Sequence, residues 1–242
     1  MSEAVPPAYG TLYLIPTLLG AAPIESSLSV GVIAHARALD VFVAESAKAA
    51  RHFLKLIGHP RKLSDLRIDE LNLNTADRAL GSLLQPLLEG HCVGLLSEAG
   101  CPAVADPGSA LVALAHRMGI RVVPLVGPSS LMLALMASGL EGQRFCFRGY
   151  LPVPRAERDR AIQAMEHDSL RDQATQICIE APYRNERLLE AMLNVCRAGS
   201  RLCLATDLTL ETETITTRRI DEWQRQARPS IDRRPTVFLL LA

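Results

Sequence analysis

The chain alternates between short apolar runs rich in β-formers and longer stretches with apolar residues at helical spacing. Thr11-Leu12-Tyr13-Leu14-Ile15-Pro16 is a β-prone run ended by proline, the pattern of a buried strand. Leu28, Val32, Ala36 and Leu39 space a helix over 26–38, and Val41-Phe42-Val43-Ala44 predicts a second strand. A helix over 47–57 stops at Gly58-His59-Pro60, and 61–73 is ambiguous. Thr75 is placed to cap a helix whose Leu80, Leu83, Leu84, Leu87 and Leu88 share one face. Strands follow at 92–96 and 121–125, separated by a small-residue loop over 97–108 and a helix over 109–118 closed by Gly119. Such alternation predicts a parallel sheet with helices on both faces.

Beyond Pro128 the pattern changes. An apolar helix is predicted over 129–138, a strand over 145–149 and an amphipathic helix over 155–165, while strands at 175–180 and 201–207 flank a helix over 184–196. Segments 213–218 and 236–241 read as adjacent late strands, which suggests antiparallel pairing and a mixed sheet. The expected fold class is α/β with two domains, 1–127 carrying a mainly parallel sheet and 128–242 a mixed one, both flanked by helices.

Composition narrows the function. The 242 residues are 48% hydrophobic and 21% charged, which excludes a disordered chain and allows a substantial core. Lys plus Arg and Asp plus Glu are 26 each, and the balance nearly holds on either side of Gly127. Binding that runs mainly on neutralising phosphates is therefore not expected, although a local basic patch is compatible with the count. Lysine occurs only at Lys48, Lys55 and Lys62, a skew toward arginine attributed to base composition. The uncharged stretch 122–140 has bilayer-spanning length, but Pro124, Gly127, Pro128, Ser129 and Ser130 would break a spanning helix; a strand, a turn and a helix, and no membrane partner, are expected. The six cysteines form no C-x-x-C pair, which argues against a zinc knuckle or disulfide framework and fits a reduced compartment. With no basic-then-apolar pattern over 1–10, no signal peptide is expected and the localisation reads as cytoplasmic.

Open α/β sheets bind ligands at the carboxyl ends of their strands. Three predicted strand ends carry small-residue loops: Pro16-Thr17-Leu18-Leu19-Gly20-Ala21, Ser97-Glu98-Ala99-Gly100-Cys101-Pro102 continuing to Asp106-Pro107-Gly108, and Val126-Gly127-Pro128-Ser129-Ser130. Any one alone reads as a tight turn with helix capping; three in register read as a ligand cleft. A P-loop and a G-x-G-x-x-G turn after the first strand are both absent, and 127–131 does not make a G-x-S-x-G elbow. The six histidines include no H-E-x-x-H pair, so no metal is expected and they read as surface or interface residues. Cys101 is a candidate nucleophile with no histidine near it in sequence, and a loop-packing role fits it better.

The S-[DE]-A-G-x-P…D-P-G loop, the V-x-P-x-x-G-P-S-[SA] turn and the F-x-x-x-G-[FY]-L-P strand, in this order, resemble the tetrapyrrole-methylase superfamily. Gly10-Thr11-Leu12-Tyr13, Ala44-Glu45, Glu180-Ala181-Pro182-Tyr183-Arg184, and Leu208-Thr209 with Glu213 extend the likeness from Gly10 to Leu241. Among its branches the chain most resembles the one that 2'-O-methylates a cytidine ribose in small-subunit ribosomal RNA. The resemblance implies a homodimer binding S-adenosylmethionine between two α/β domains. It assigns the methionine end to Ser97, Glu98, Ala99, Gly100, Ala105, Asp106, Ser129 and Ser130. It places Ile179, Leu208, Pro235 and Thr236 around the adenosine, and it counts Pro16 and Leu151 among the cofactor-binding residues.

Departures bear on the acceptor. The branch's P-T-P-[IL]-G-N is Pro16-Thr17-Leu18-Leu19-Gly20-Ala21 here, and its A-E-D-T-R is Ala44-Glu45-Ser46-Ala47-Lys48, without the aspartate and the arginine. The usual basic residue after L-T is Leu210, and G-E-M-V is Pro235-Thr236-Val237-Phe238. An RNA ribose hydroxyl, a small-molecule or tetrapyrrole-like acceptor, and a non-catalytic S-adenosylmethionine-binding protein all stay open. Methyl transfer needs alignment above all, and a weak hydroxyl nucleophile gains from a base. Glu45, Glu98, Glu180 and Glu213 are the acidic candidates, with Glu45, Glu180 and Arg184 assigned as catalytic groups; Arg184 would orient a phosphate or pair with Glu180. Arg155, Arg158 and Arg160 suit a phosphate-contacting rim or, interleaved with Glu157 and Asp159, a solvated helix face.

Overall fold

The computed structural model describes residues 9–71 and 77–242, so the predicted Thr75 cap lies outside the described residues. The chain divides into two compact units, Met1–Ser129 and Ser130–Ala242.

The first unit runs β1 (Thr11–Ile15), α1 (Val30–Arg37), β2 (Val41–Ala44), α2 (Ala47–Leu56), β3 (Arg67–Glu70), α3 (Asp77–Leu88), β4 (Val93–Leu96), α4 (Ser109–Arg117) and β5 (Arg121–Pro124). Its strands pair in parallel in the order β3-β2-β4-β1-β5. Strand periodicity sorts the apolar residues onto two faces. Ile15, Phe42, Ala44 and Leu96 pack with Val32 and Ala36 of α1 and with Ala50, Phe53 and Leu54 of α2. Leu12, Val43, Val93 and Leu95 pack with Leu84 and Leu87 of α3 and Leu111 of α4. Each such large side chain contributes about 1.5–3 kcal/mol on burial. The helices change face after β3, and the parallel strands deliver every carboxyl end to one edge. The ambiguous stretch holds β3, an edge strand; its Arg67 Nε donates to Asp69 Oδ2 at 2.7 Å, charges that mask a strand in sequence and suit an edge.

The second unit runs α5 (Ser130–Ser138), β6 (Phe145–Tyr150), α6 (Arg155–Asp172), β7 (Thr175–Ile179), α7 (Asn185–Val195), β8 (Arg201–Thr206), β9 (Thr214–Arg219), α8 (Ile220–Arg225) and β10 (Thr236–Leu241). The order is β6-β7-β10-β8-β9, with β6 and β7 parallel and the other pairs antiparallel. The sheet is mixed as expected, but the late strands β9 and β10 do not pair. β8 separates them and is antiparallel to both. The reason is composition: Val237-Phe238-Leu239-Leu240 is apolar on both faces and buried, which suits a central strand, whereas Thr-rich β9 takes the edge.

Two helices depart from the pattern. α6 extends to Asp172, past the predicted end at 165, because its further inward positions are polar. Buried Glu166 accepts from Arg197 N at 2.7 Å and Ser200 Oγ at 2.6 Å, and buried Ser169 donates to Ala174 O at 2.8 Å. α8 is too short to show a period; fully buried Trp223 anchors it, donating from Nε1 to Leu202 O at 2.8 Å. The uncharged 122–140 stretch divides into β5, a turn and α5. Among the described residues no helix is long and apolar enough to cross a membrane.

Candidate functional site

In the first unit the three small-residue loops interlock at the carboxyl edge of the sheet. Thr17 N donates to Gly100 O at 2.9 Å, Thr17 Oγ1 to Ser97 O at 3.4 Å and Ser97 Oγ to Gly100 O at 2.8 Å. The half-buried Cys101 thiol donates to Pro128 O at 3.4 Å, and burial pushes its pKa up, so the thiol is a packing and hydrogen-bonding group. Gly127 admits no side chain: a Cβ there would lie 2.1 Å from Pro16 Cγ. The β1, β4 and β5 loops therefore form one backbone-rich surface carrying Pro16, Ser97, Glu98, Ala99, Gly100, Ala105, Asp106 and Ser129.

That surface is strained and acidic. Ala103 and Ala105 hold left-handed φ values of 63° and 64°, Gly100 one of 76°. Non-glycine residues take that region at a cost of order 1–3 kcal/mol, and such strain gathers at ligand sites. Asp106 is pushed up to about 6, first by burial and then by the charges of Glu45 and Glu98. Burial, followed by Glu98, also raises Glu45. Glu45 stands at the end of β2, just before Ser46, whose hydroxyl caps α2 by accepting from Ala49 N at 3.3 Å. Carboxylates held above their ordinary values are suited to a cationic ligand, which relieves their mutual repulsion.

In the second unit the antiparallel β10 runs between β7 and β8, so its start lies beside their carboxyl ends. Tyr150 and Val237 both pair with Ile179, and Asp207 N donates to Pro235 O at 2.9 Å. Thr236 Oγ1 lies 3.1 Å from Thr206 Oγ1. Leu151, Ile179, Leu208, Pro235 and Thr236 thus share one edge, while Ser130 opens α5. Beside them, buried Glu180 Oε1 accepts from Ala181 N at 2.7 Å, Arg184 Nε at 2.9 Å and Arg184 Nη2 at 2.6 Å. Arg184 also lies over the Tyr183 ring, 5.3 Å from its centroid.

Sequence reasoning missed the brace behind this edge. Arg234 Nε donates to Asp207 Oδ2 at 2.8 Å and Nη2 to Thr212 O at 2.6 Å, while Thr212 Oγ1 donates to the same Asp207 oxygen at 2.7 Å. Asp207 and Thr209 take left-handed φ values of 52° and 73°. Thr209 N donates to Glu213 Oε2 at 2.7 Å, and Thr209 Oγ1 is buried without a hydrogen-bond partner. The Leu208-Thr209…Glu213 spacing was the only local signal of this brace, since Arg234 meets Asp207 across 27 residues. Among the described residues no group of His, Cys, Asp and Glu is arranged to hold a metal ion.

Residues 11–224 match the family model described as Tetrapyrrole (Corrin/Porphyrin) Methylases. The chain belongs to the tetrapyrrole methylase family. It is similar to the ribosomal RNA small subunit methyltransferase I of Escherichia coli O157:H7, 33% identical over 206 residues that cover 85% of this chain and 68% of that protein. The same-named protein of Xylella fastidiosa (strain Temecula1 / ATCC 700964) is 30% identical over 233 residues, covering 96% of this chain and 81% of that one. Among solved structures, the methyltransferase CobJ aligns with a TM-score of 0.63 at 20% identity, over 97% of this chain and 94% of that one. The cobalt precorrin-4 methyltransferase CbiF aligns at 0.60 and 16% identity, over 96% and 94%. At those identities the tetrapyrrole methylases share the fold. Methyltransferases of this family use S-adenosylmethionine, and this chain is an S-adenosylmethionine-dependent methyltransferase of the family.

The residues present fit that cofactor. Asp106 and Glu98, beside a strained backbone loop in the first unit, supply negative charge suited to a cationic group.

Proposed function

We propose that the chain methylates a ribose 2'-hydroxyl of small-subunit ribosomal RNA. Bound S-adenosylmethionine supplies a methyl group carried on a cationic sulfur. The methionine end is held by Pro16, Ser97, Glu98, Ala99, Gly100, Ala105, Asp106, Ser129 and Ser130. Asp106 and Glu98 set negative charge against its cationic groups. Leu151, Ile179, Leu208, Pro235 and Thr236 hold the adenosine.

Glu45 is the proton acceptor for the ribose hydroxyl. Its raised pKa brings a carboxylate nearer the basicity that general-base catalysis at neutral pH rewards. Glu180 is a positioning residue. Three donors converge on its Oε1, which suits it to holding the Arg184 guanidinium toward an anionic acceptor. The observation that carries the cofactor reading is the interlocked loop surface bearing Glu98 and Asp106. The acceptor reading is supported by the relatives named as ribosomal RNA small subunit methyltransferases.

A homodimer in a reducing cytoplasm completes the proposal. Its support is the exposed Met132 and Met136, one helical turn apart on α5, and six unpaired cysteines.

The test is transfer of labelled methyl from S-adenosylmethionine to small subunits taken from cells lacking this gene, with the product mapped by mass spectrometry. One methyl on one cytidine ribose is expected. Cofactor binding in calorimetry with no label in RNA would overturn the acceptor and favour a small molecule, a reading the neutral net charge also supports.

A further inference from the structure

The second unit has a cavity of about 270 Å³ between α6 and α7 whose lining includes Arg155, Arg158, Asp159, Arg187 and Glu190. Its position follows from topology. β6 and β7 are parallel, so the helices that leave them, α6 and α7, begin at the same edge of the sheet. Arg155 and Arg158 lie in the first turn of α6, and Arg187 and Glu190 follow one another along one face of α7.

Its charges are incompletely paired. Arg155 Nε lies 3.7 Å from Asp159 Oδ2 and neutralises it. Among the described residues Arg158 and Arg187 make no ion pair, and Arg158 Nε is buried with no hydrogen-bond partner. A guanidinium that is partly desolvated and lacks an anion is an unfavourable arrangement unless a ligand completes it. Three arginines against Asp159 and Glu190 leave one positive charge in excess. A phosphodiester carries one negative charge and a free phosphate up to two, so the excess matches a backbone diester. Glu190 adds an acceptor for a neighbouring sugar hydroxyl and repels a second phosphate charge.

We infer that the α6–α7 cavity is a phosphate subsite in which Arg158 and Arg187 grip one backbone phosphodiester of an RNA acceptor, with Arg155 and Glu190 setting its charge. The choice of RNA rests on the acceptor proposed above; the phosphate chemistry does not.

The test uses the full chain and three variants: the double substitution Arg158→Gln with Arg187→Gln, Glu190→Gln, and Arg171→Gln as a control on α6 outside the cavity. A labelled small-subunit RNA fragment is titrated at several salt concentrations. The double variant should bind about tenfold more weakly, with the log–log salt slope shallower by about 0.7–0.9, the loss of one phosphate contact. Glu190→Gln should bind several-fold more tightly, and Arg171→Gln like the parent. In a second arm, dimethyl phosphate and inorganic phosphate are titrated while the Arg158 Nε–H resonance is followed by NMR; dimethyl phosphate should shift it at the lower concentration. Calorimetry with S-adenosylmethionine on the same proteins should be unchanged.

Unchanged RNA affinity in both the double variant and Glu190→Gln overturns the RNA subsite even if methyl transfer proceeds. Loss of the diester response with RNA affinity intact reassigns the cavity to a small phosphate ester and overturns the RNA source. If the parent binds no RNA, the acceptor proposal fails, and the NMR arm still decides whether the cavity takes phosphate. No shift with either phosphate overturns the site itself.

Discussion

Gly127 and Pro16 touch so closely that the proline ring occupies the place a side chain on Gly127 would take, 2.1 Å from a Cβ. Pro16 ends β1 and Gly127 follows β5, so this contact ties two neighbouring strand ends together under the loop that carries Gly100 and Asp106. Gly127→Ala should destabilise the chain by about 1–3 kcal/mol through overpacking, seen as a melting temperature lower by roughly 2–4 °C per kcal/mol. S-adenosylmethionine affinity should fall with it in calorimetry. A variant that melts and binds like the parent would show that the contact does not shape the loop.

Asp106 should make cofactor binding depend on pH. Its carboxyl is held at about 6 by burial and by Glu45 and Glu98, so it is ionised above that value and neutral below it. Affinity for the cationic cofactor should rise as pH increases through about 6, and Asp106→Asn should flatten that rise and weaken binding at pH 7.5. The stability effect of the unliganded chain has the opposite sign. A folded-state value above the ordinary 3.8 favours the protonated form in the native state, so this group's contribution is complete below pH 4 and is lost as pH rises through about 6. Asp106→Asn should therefore raise the melting temperature more at pH 8 than at pH 5, and an equal rise at both would refute the assignment.

Glu45→Gln should lower kcat by about 10²–10⁴ while leaving S-adenosylmethionine binding within a few-fold of the parent, the signature of a lost general base. If binding and turnover fall together, Glu45 serves the cofactor and proton removal lies elsewhere.

Arg184→Ala should cost about 1–3 kcal/mol, because it leaves Glu180 buried with its charge facing only Ala181 N. Glu180→Gln with Arg184→Ala should recover part of that loss in urea unfolding. No recovery in the double variant would mean that the two residues are not coupled.

The first unit was largely legible before its structure was known. Its strands are short runs of Val, Leu, Ile and Phe between helices of clear period, and its site loops follow those strands directly, so adjacency in sequence stands for adjacency in space. β3 escaped because Arg67, Asp69 and Glu70 hide a strand among charges. In the second unit the signals weakened where polar groups take inward positions. Glu166 and Ser169 concealed the last turns of α6, and Trp223 alone anchors a helix too short for periodicity.

Local order along the chain settled which segments are strands, which loops are rich in small residues, and the family likeness those loops carry, because each depends on residues a few positions apart. Folding in space settled the rest: β10 inserted between β7 and β8, the Arg234–Asp207 brace, the shared burial that lifts Asp106, and the arginine cavity between α6 and α7. Those relationships join groups far apart in sequence through strand insertion, desolvation and helix packing. No local pattern of residues encodes them, since their energies arise once the surrounding chain has excluded water.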